Sequence, residues 1–485
     1  MTGNRQASVP PSRSARAARR PREGQPGIDP LNLAVILLAL FLGLILSFAI
    51  TTGWQLLAGL VLVLAALVVF CRQPVLGVYA FILVSLWQFT VLPKLTLAAA
   101  IGYLALFAYI YNLLLTGRVR YRRTGQEWPF LLLLAAIGIS AAGAVNIPWL
   151  LRKTFTLVQL LILYLLIANL IDTRRRLAQL LWVVLLSNLI TAVFSLYQYF
   201  RIPGFRAIGL GKDPNYTAAA IIMGIFFALP LLRRGKTAGG RGFVLVSLGL
   251  MGLAFLLTLS RGGFVALGLV GMYWLLQERR KGRALMIVLA ALMVGAFFAP
   301  ERYRERISTL QEYQTDPSLA SRFQEARAAL MMIRDYPFFG VGFENMPDNY
   351  ARYVTPEVGK EVRAAHNLYL NLAADIGLIG FAVFTWIIVI SWRSLRRAAR
   401  SSPPGDWLGY AGRMISLGFI GYLAASLFVS NLMEKELWII LASGTVLGGI
   451  AVGRGDKADG NNGKGNVTSN SQQGIANEET PASAG

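Results

Sequence analysis

Residues 366–391 read HNLYLNLAADIGLIGFAVFTWIIVIS, and WRSLRRAAR follows directly at 392–400. The hydrocarbon core of a bilayer is about 30 Å thick and a helix rises about 1.5 Å per residue, so about 20 apolar residues cross it. The first stretch is long enough to cross, and an arginine-rich end is typical of a cytoplasmic boundary. Together they predict a membrane-spanning helix that begins at the outer face.

The same pattern recurs along the whole chain. Of the 485 residues, 55% are hydrophobic and 15% charged, and the mean hydropathy of +0.54 exceeds that of soluble domains. Because lipid offers the backbone no partners, such runs must be helical. We expect an all-α polytopic integral membrane protein with about 14 transmembrane helices, near residues 31–50, 54–70, 74–92, 96–115, 129–145, 154–171, 177–200, 215–232, 243–259, 262–277, 284–299, 366–391, 411–430 and 433–452.

The charge follows this topology. The chain has 47 Lys and Arg against 24 Asp and Glu, a net charge of +23. With the N-terminus inside, 30 of the basic residues fall in cytoplasmic segments and eight in short outer loops. This is the positive-inside rule, so we expect both termini to be cytoplasmic and the arginines to anchor the helices, aided by membrane lipids. Nucleic acid is not an expected partner.

The sequence divides into three parts. Residues 1–30 are predicted to be a disordered basic cytoplasmic tail, 31–452 a transmembrane domain that includes an extracytoplasmic loop at 300–365, and 453–485 a second disordered cytoplasmic tail. The one cysteine, Cys71, allows no intramolecular disulfide, and no Cys or His cluster is available for a metal. We therefore expect no cofactor and no metal site.

The loop at 300–365 is the one segment large enough to form a structure of its own. It carries nine basic and ten acidic residues, close to balance. Residues 318–337, SLASRFQEARAALMMIRDYP, predict an amphipathic helix, with Ser321 as a candidate N-cap and Pro337 beyond its end. The expected apolar stripe consists of Leu319, Phe323, Ala326, Leu330 and Ile333. A loop with its own helix is more often functional than passive.

Four residues on the predicted outer side are candidates for chemistry. Arg261 in LTLSRGGFVAL lies where the positive-inside rule disfavours a basic residue, although a snorkelling anchor would also explain it. Arg206 adds a second cation, and Arg322 on the loop helix is either functional or a solvated charge. His366 is the only histidine, and an interfacial helix start would also accommodate it. Asp213 and Pro214 fit a capped helix start.

The order of these motifs resembles a known family. SRGG at 260–263, then SRFQEARAALMMIRDYPFFGVGFEN at 321–345, then AHNLYLNLAADIGLIG at 365–380 resembles the O-antigen ligase and O-antigen polymerase superfamily of membrane glycosyltransferases. GKDPNYTAAA at 211–220 is similar to the family's segment upstream of the first arginine. The resemblance covers about Arg206 to Gly380.

The resemblance implies a donor and an acceptor. The donor is a polyprenyl diphosphate, such as undecaprenyl diphosphate, that carries a glycan at the outer face. The acceptor is a hydroxyl of another glycan, of the lipid A core or of a protein, as in lipopolysaccharide or exopolysaccharide biosynthesis. The resemblance assigns the donor diphosphate to Arg261 and Arg322, with Arg206 as a further contact, and catalysis to His366. Additional candidate substrate contacts are Asn367, Glu344, Asp213 and Asn215.

The chemistry of these residue types fits the assignments. Guanidinium groups stay charged and bind phosphate oxygens in a bidentate fork, so they can stabilise a diphosphate leaving group without a metal. Imidazole, with an ordinary pKa near 6.5, can take the proton of an attacking hydroxyl, and a single displacement would invert the anomeric carbon. Glu344 and Asp348 are alternative bases.

Two other classes of function remain open at this point. Asp375 lies nine residues after His366, and an acid at membrane depth is a functional candidate, which favours a transporter of a small anion such as bicarbonate. A transporter also predicts inverted repeats, and no convincing repeat is found. A non-catalytic scaffold would leave the charge-balanced loop unexplained.

Overall fold

The computed structural model describes residues 54–87, 90–92, 95–117, 119, 121–202, 206–211, 213–235, 237–278, 281–282, 285–286, 317–354 and 365–465. Residues 1–68 and 69–485 form two compact units. Trp54–Val68 of the first helix is the described part of the first unit, and the contacts discussed below belong to the second. The predicted spans at 31–50 and 284–299, and both predicted tails up to residue 30 and beyond 465, lie outside the described residues, apart from 285–286.

The described chain is helical with one short β-hairpin. Seven of its helices are long and apolar enough to cross a membrane. The helices are α1 (Trp54–Arg72), α2 (Pro74–Val84), α3 (Leu97–Tyr111), α4 (Glu127–Ser140), α5 (Ile147–Leu170), α6 (Arg174–Arg201), α7 (Pro214–Arg234), α8 (Ala238–Leu257), α9 (Arg261–Gln277), α10 (Pro317–Asp335), α11 (Met346–Asn349), α12 (Leu368–Ser401), α13 (Trp407–Ala425) and α14 (Lys435–Gly465). Strands β1 (Thr90–Leu92) and β2 (Leu95–Thr96) pair antiparallel.

Short turns extend several of these helices. A π-helical turn, Asn112–Thr116, continues α3, and 3-10 turns follow α4 at Ala141–Gly143 and α11 at Tyr350–Arg352. Twelve of the predicted spans overlap a described helix. The expected span at 74–92 is wrong in its second half, because α2 ends at Val84 and the chain continues into the hairpin. At the C-terminal end, α14 continues to Gly465, beyond the predicted domain end at 452.

The centre of the bundle is formed by α12, α13 and α14 together with α4, α5 and α7. Small residues bring α14 close to α12, since a Cβ added to Gly444 would lie 2.6 Å from the carbonyl oxygen of Ser391 and one added to Gly448 would lie 3.2 Å from Ser394 Cβ. Spacing small residues four apart is a common way to pack helices in a membrane, where lipid removes the hydrophobic driving force. The fully buried Trp438 ring packs beside Phe130 of α4.

The basic segments gather at one end of the antiparallel helices. Arg174 at the start of α6 pairs with Asp406 at 2.6 Å, just before α13. At the end of α7, Arg233 stacks on Tyr410 and Arg234 on Trp407. The 21 residues of α7 separate this end from Pro214 by about 30 Å at 1.5 Å per residue. The basic end and the candidate site therefore lie at opposite ends of the helices.

The loop helix α10 packs on α12 through a small core of its own. Ala328, Ala329 and Met332 of α10 are fully buried against Ala374 of α12 and Tyr350. This face differs from the stripe predicted from the sequence, because Phe323 and Leu330 point outward and are exposed. The predicted N-cap is also wrong, since α10 begins at Pro317 and Ser321 lies within it.

Candidate active site

Three helices begin near one another at the end opposite the basic segments. Each start is capped by a short polar side chain. The Asp213 carboxylate accepts from the Asn215 amide before α7, and the Ser260 hydroxyl accepts from the Gly263 amide before α9. The Asn367 side chain accepts from the Tyr369 and Leu370 amides before α12. Helix N-termini carry partial positive charge and favour anionic ligands.

One segment, Ser426–Ser430, contacts all three helix starts. The Tyr216 hydroxyl of α7 donates to the Ser430 carbonyl at 3.0 Å. The Leu368 amide of α12 donates to the Ser426 carbonyl at 2.9 Å. At the start of α9, the Phe428 side chain packs so tightly that a Cβ on Gly262 would lie 2.6 Å from it. The turn after α13 thus holds the three N-termini in one cluster.

The turn before Arg261 is built from polar contacts. The Arg206 guanidinium donates to the carbonyls of Thr258 and Leu259, at 3.0 and 3.4 Å. The Ser260 hydroxyl donates to the Asn215 side-chain oxygen at 2.7 Å and so ties α9 to α7. Arg206 therefore has a structural role that the sequence did not reveal: two of its nitrogens hold the backbone that presents Arg261.

The helix that follows His366 is bent, and the loop after α10 fits into the bend. Gly377 has φ of +69°, outside helical geometry. The Val341 and Gly342 amides donate to the carbonyls of Ala374 and Asp375, at 2.9 and 3.0 Å, and the Leu378 amide donates to the Pro337 carbonyl at 2.8 Å. We call these three hydrogen bonds the latch. They satisfy backbone groups that the bend removes from the helix ladder.

Asp375 lies fully buried behind the latch, where it joins two segments of the site. Its carboxylate accepts from the Met346 amide and from the Asn371 side-chain amide, each at 2.8 Å. The Asn371 oxygen in turn accepts from the Ala365 amide at 3.2 Å. Ala365 directly precedes His366. The Asn371–Asp375 pair therefore connects the loop that follows Gly342 with the backbone that carries the histidine.

His366 itself is exposed and has an unusual backbone. Its φ is +45°, and the only other non-glycine residues with positive φ in the described part of the chain are Leu259 and Glu344. Residues other than glycine rarely adopt this backbone conformation, which costs about 1–3 kcal/mol and is found mostly at functional sites. Leu259 lies two residues before Arg261, so the three strained positions flank or include predicted site residues.

The region around Glu344 is fixed from α5. Lys153 forms an ion pair with Glu344 at 3.0 Å and lies over the Trp149 ring. The Asn345 side-chain oxygen accepts from the Asn146 amide at 2.7 Å. The sequence did not point to Lys153 or Asn345. A lysine on the predicted outer side, against the positive-inside rule, was the available signal for Lys153.

The structure brings the predicted residues together in two groups. Arg206, Asp213, Asn215 and Arg261 surround the α7 and α9 starts, and His366 and Asn367 lie at the α12 start. Glu344 lies two residues before Met346, whose amide donates to Asp375 of α12. The groups are joined through Ser426–Ser430. Arg322 lies half-buried on α10, about one turn before the buried Glu325. Helix α10 packs on α12. Asp348 lies in α11.

The fold and this cluster define a multi-pass membrane protein with a site suited to an anionic ligand. Residues 246–385 match the family model described as O-antigen ligase. The matched region runs from α8 into α12 and contains Arg261, Arg322 and His366, and it confirms the resemblance to the O-antigen ligase and polymerase superfamily. No curated protein matches the chain.

The family implies the general kind of protein. The family is in general one of membrane glycosyltransferase-like enzymes that use a polyprenyl-linked glycan and an acceptor, and the apolar helices agree with a multi-pass protein of the inner membrane. The match gives no support to the transporter alternative. Asp375, which had favoured transport, is occupied with holding the loop and the segment before His366.

Proposed function

We propose that the protein transfers a glycan from a polyprenyl diphosphate to an acceptor hydroxyl at the outer face of the cytoplasmic membrane, without a metal. The observation that carries this proposal is the cluster of three helix N-termini on Ser426–Ser430, with Arg261 at one start and His366 at another. A diphosphate is the anionic part of the donor, and helix N-termini with an arginine suit it.

Each proposed role follows from the position of the side chain. Arg261 extends from the first turn of α9, so helix and guanidinium act on the same anion. Arg322 on α10 is proposed as the second diphosphate contact. Arg206 contributes by supporting the turn before Arg261, and it is also proposed as a further contact of the donor diphosphate. Asn367, Asp213 and Asn215 shape the capped helix starts at which the substrates are proposed to bind.

His366 is proposed as the general base. Its imidazole nitrogen takes the proton of the acceptor hydroxyl as the oxygen attacks the anomeric carbon. The new glycosidic C–O bond forms while the C–O bond to the diphosphate breaks, and the lipid diphosphate leaves as an anion stabilised by the arginines. Attack from the face opposite the leaving group inverts the anomeric carbon. Glu344 is already paired with Lys153, which makes it a weaker candidate for the base.

The orientation follows from the charges at the two ends. The end that carries Arg174, Arg233, Arg234 and Arg396 is proposed to face the cytoplasm, because basic residues accumulate on that side. The site at the other end then faces outward, and the tails at 1–30 and 453–485 are cytoplasmic. A reporter that is active only in the cytoplasm, fused at Asp348, tests this orientation. Activity of that fusion would overturn it.

The proposed activity is tested by glycan transfer in vitro with purified protein, a polyprenyl-diphosphate-linked glycan, a chelator and, in separate reactions, a glycan, a lipid A core or a protein as the acceptor. His366→Ala, Arg261→Ala and Arg322→Ala are expected to lose transfer. Arg334→Ala is the matched control, because it removes an exposed arginine from the same helix as Arg322, and it is expected to keep wild-type transfer.

The outcomes separate the parts of the proposal. Unchanged transfer in a folded His366→Ala would remove the base, and equal loss in Arg334→Ala and Arg322→Ala would remove the specific role of Arg322. Comparing the three acceptor classes distinguishes a ligase from a polymerase and from a protein glycosyltransferase. No transfer to any of them would overturn the activity itself.

A further inference from the structure

The latch places part of the loop at the depth of a membrane helix. Its bonds join Pro337–Gly342 to α12 between Ala374 and Leu378. The first charged residue after Leu378 is Arg393, which we take as the cytoplasmic boundary of the span. A helix needs about 20 residues to cross about 30 Å of hydrocarbon, so the outer boundary lies near Ala373. Leu378 then lies about 8 Å inside the hydrocarbon core, at 1.5 Å per residue. The sequence had placed the whole of 300–365 outside the membrane.

The side chains at this depth are apolar and point away from the protein. Phe338 is 64% exposed and Phe339 45%. Beside them on α12, Leu378 is 48% exposed and Ile379 46%. Residues 336–343, YPFFGVGF, contain no charged side chain. The exposed surface of the turn is thus continuous with the lipid-facing surface of a membrane-spanning helix.

From Gly340 to Phe343, the backbone amides satisfy the condition that lipid imposes. The Gly340 amide donates to the Tyr336 carbonyl, Val341 and Gly342 donate to α12, and the Phe343 amide donates to the Ser140 hydroxyl at 3.1 Å. Four consecutive amides therefore have partners inside the protein. Gly340 to Phe343 are buried, and irregular backbone at membrane depth persists when the protein supplies its partners in this way.

The loop helix has a surface that suits the adjoining headgroup region. Phe323, Arg327, Leu330 and Arg334 follow one another at four- and three-residue steps, and all four are exposed. Where apolar side chains and arginines share an exposed stripe, the apolar groups can contact lipid while the long arginine side chains reach the phosphates of the headgroups. The helix thus continues the apolar surface of the turn towards the interface.

We propose that Pro337–Gly342 is a re-entrant turn, whose Phe338 and Phe339 side chains contact the acyl chains of bilayer lipid in the leaflet that borders the candidate site. Glu344 follows the turn by two residues and Met346, which is bonded to Asp375, by four. The turn therefore fixes the site's depth relative to the membrane. This inference is independent of the glycan transfer proposed above and is tested without substrate.

The chain's single cysteine makes a spectroscopic test direct. In a Cys71→Ser background, Phe339→Cys and, separately, Phe338→Cys are labelled with a nitroxide and reconstituted in vesicles of phosphatidylethanolamine and phosphatidylglycerol. Electron paramagnetic resonance then compares collisions of the label with oxygen, which partitions into lipid, and with a water-soluble nickel chelate. Trp386→Cys, an exposed position on α12, is the lipid control, and Ala351→Cys, an exposed position after α11, is the water control.

We expect both turn labels to show an oxygen-to-nickel collision ratio several-fold above that of Ala351→Cys and close to that of Trp386→Cys. A ratio equal to that of Ala351→Cys would place the turn in water and overturn the proposal. Low collision rates with both reagents would show that protein covers the turn, which overturns it equally. The two neighbouring label sites allow a conclusion if one variant fails to fold.

Discussion

The Asn371–Asp375 pair can be tested by replacing its buried carboxylate. In Asp375→Ala, the Met346 amide and the Asn371 side-chain amide both lose their acceptor. A buried donor without a partner costs about 1–3 kcal/mol, so the two together cost about 2–6 kcal/mol. Since about 1.4 kcal/mol is tenfold in an equilibrium constant, the loop should open at least about 30-fold more often.

Hydrogen exchange measured by mass spectrometry reports this opening directly. Peptides that cover 340–346 and 365–371 are expected to exchange at least about 30-fold faster in Asp375→Ala, while peptides from α6 keep their protection. Asp375→Asn keeps one acceptor oxygen but faces Asn371 with an amide, so it should lose one hydrogen bond and show a smaller increase. Asp335→Ala is the control, because it removes a carboxylate of α10 that is more exposed than Asp375, and exchange of the two peptides should stay close to wild type.

Two results would refute the reasoning. Unchanged protection of 340–346 in Asp375→Ala would mean that the carboxylate does not hold the loop. Loss of protection in α6 as well would mean that Asp375→Ala unfolds the bundle. The milder variant Asp375→Asn would then show whether the carboxylate holds the loop. Equal exchange in Asp375→Asn and wild type would show that an amide serves as well as the carboxylate, against the proposed geometry.

Three further predictions follow from the same geometry. Gly377→Ala should destabilise the protein by more than the roughly 1–2 kcal/mol that a residue with a side chain costs in the left-handed conformation, because its Cβ would also lie 2.2 Å from the Phe338 carbonyl oxygen. The thermal midpoint measures this loss, and the control Gly249→Ala, with open space around it, should leave that midpoint unchanged or higher. Arg206→Ala should reduce transfer by loosening the turn before Arg261, so hydrogen exchange of a peptide covering 257–262 should increase as well; loss of transfer with unchanged exchange there would favour a direct phosphate contact. The rate of transfer should fall as the pH drops through the pKa of the imidazole, because His366 is then protonated and cannot act as a base. A rate of transfer that does not change with pH there would argue against this base.

Hydropathy predicted most of the helices, since burial in lipid is a property of each segment by itself. The spans near 154–171 and 177–200 agree with α5 and α6 within a few residues at most of their ends. The span at 74–92 failed because an apolar run does not distinguish a helix from a short hairpin. The apolar stripe of α10 failed for a related reason: in a membrane protein, the most apolar face need not be the buried one, and α10 buries alanines and a methionine instead.

Some residues of the candidate site could also be predicted from the local sequence pattern. Arg261, Arg322 and His366 stood out by type and place, and Asp213 was expected to cap its helix, as it does. The supporting contacts were not accessible. The bonds from Arg206 to Thr258, from Lys153 to Glu344 and from Asn371 to Asp375 depend on how distant or bent segments meet, which a local pattern does not contain.

The latch also bears on how the protein is made. The turn at Pro337–Gly342 precedes α12 in the chain, so during synthesis it leaves the ribosome before the helix that it joins. In the proposed orientation, the turn has crossed the membrane by the time the bend at Gly377 is inserted. The partners of the backbone groups in the bent segment are therefore already synthesised when that segment enters the membrane.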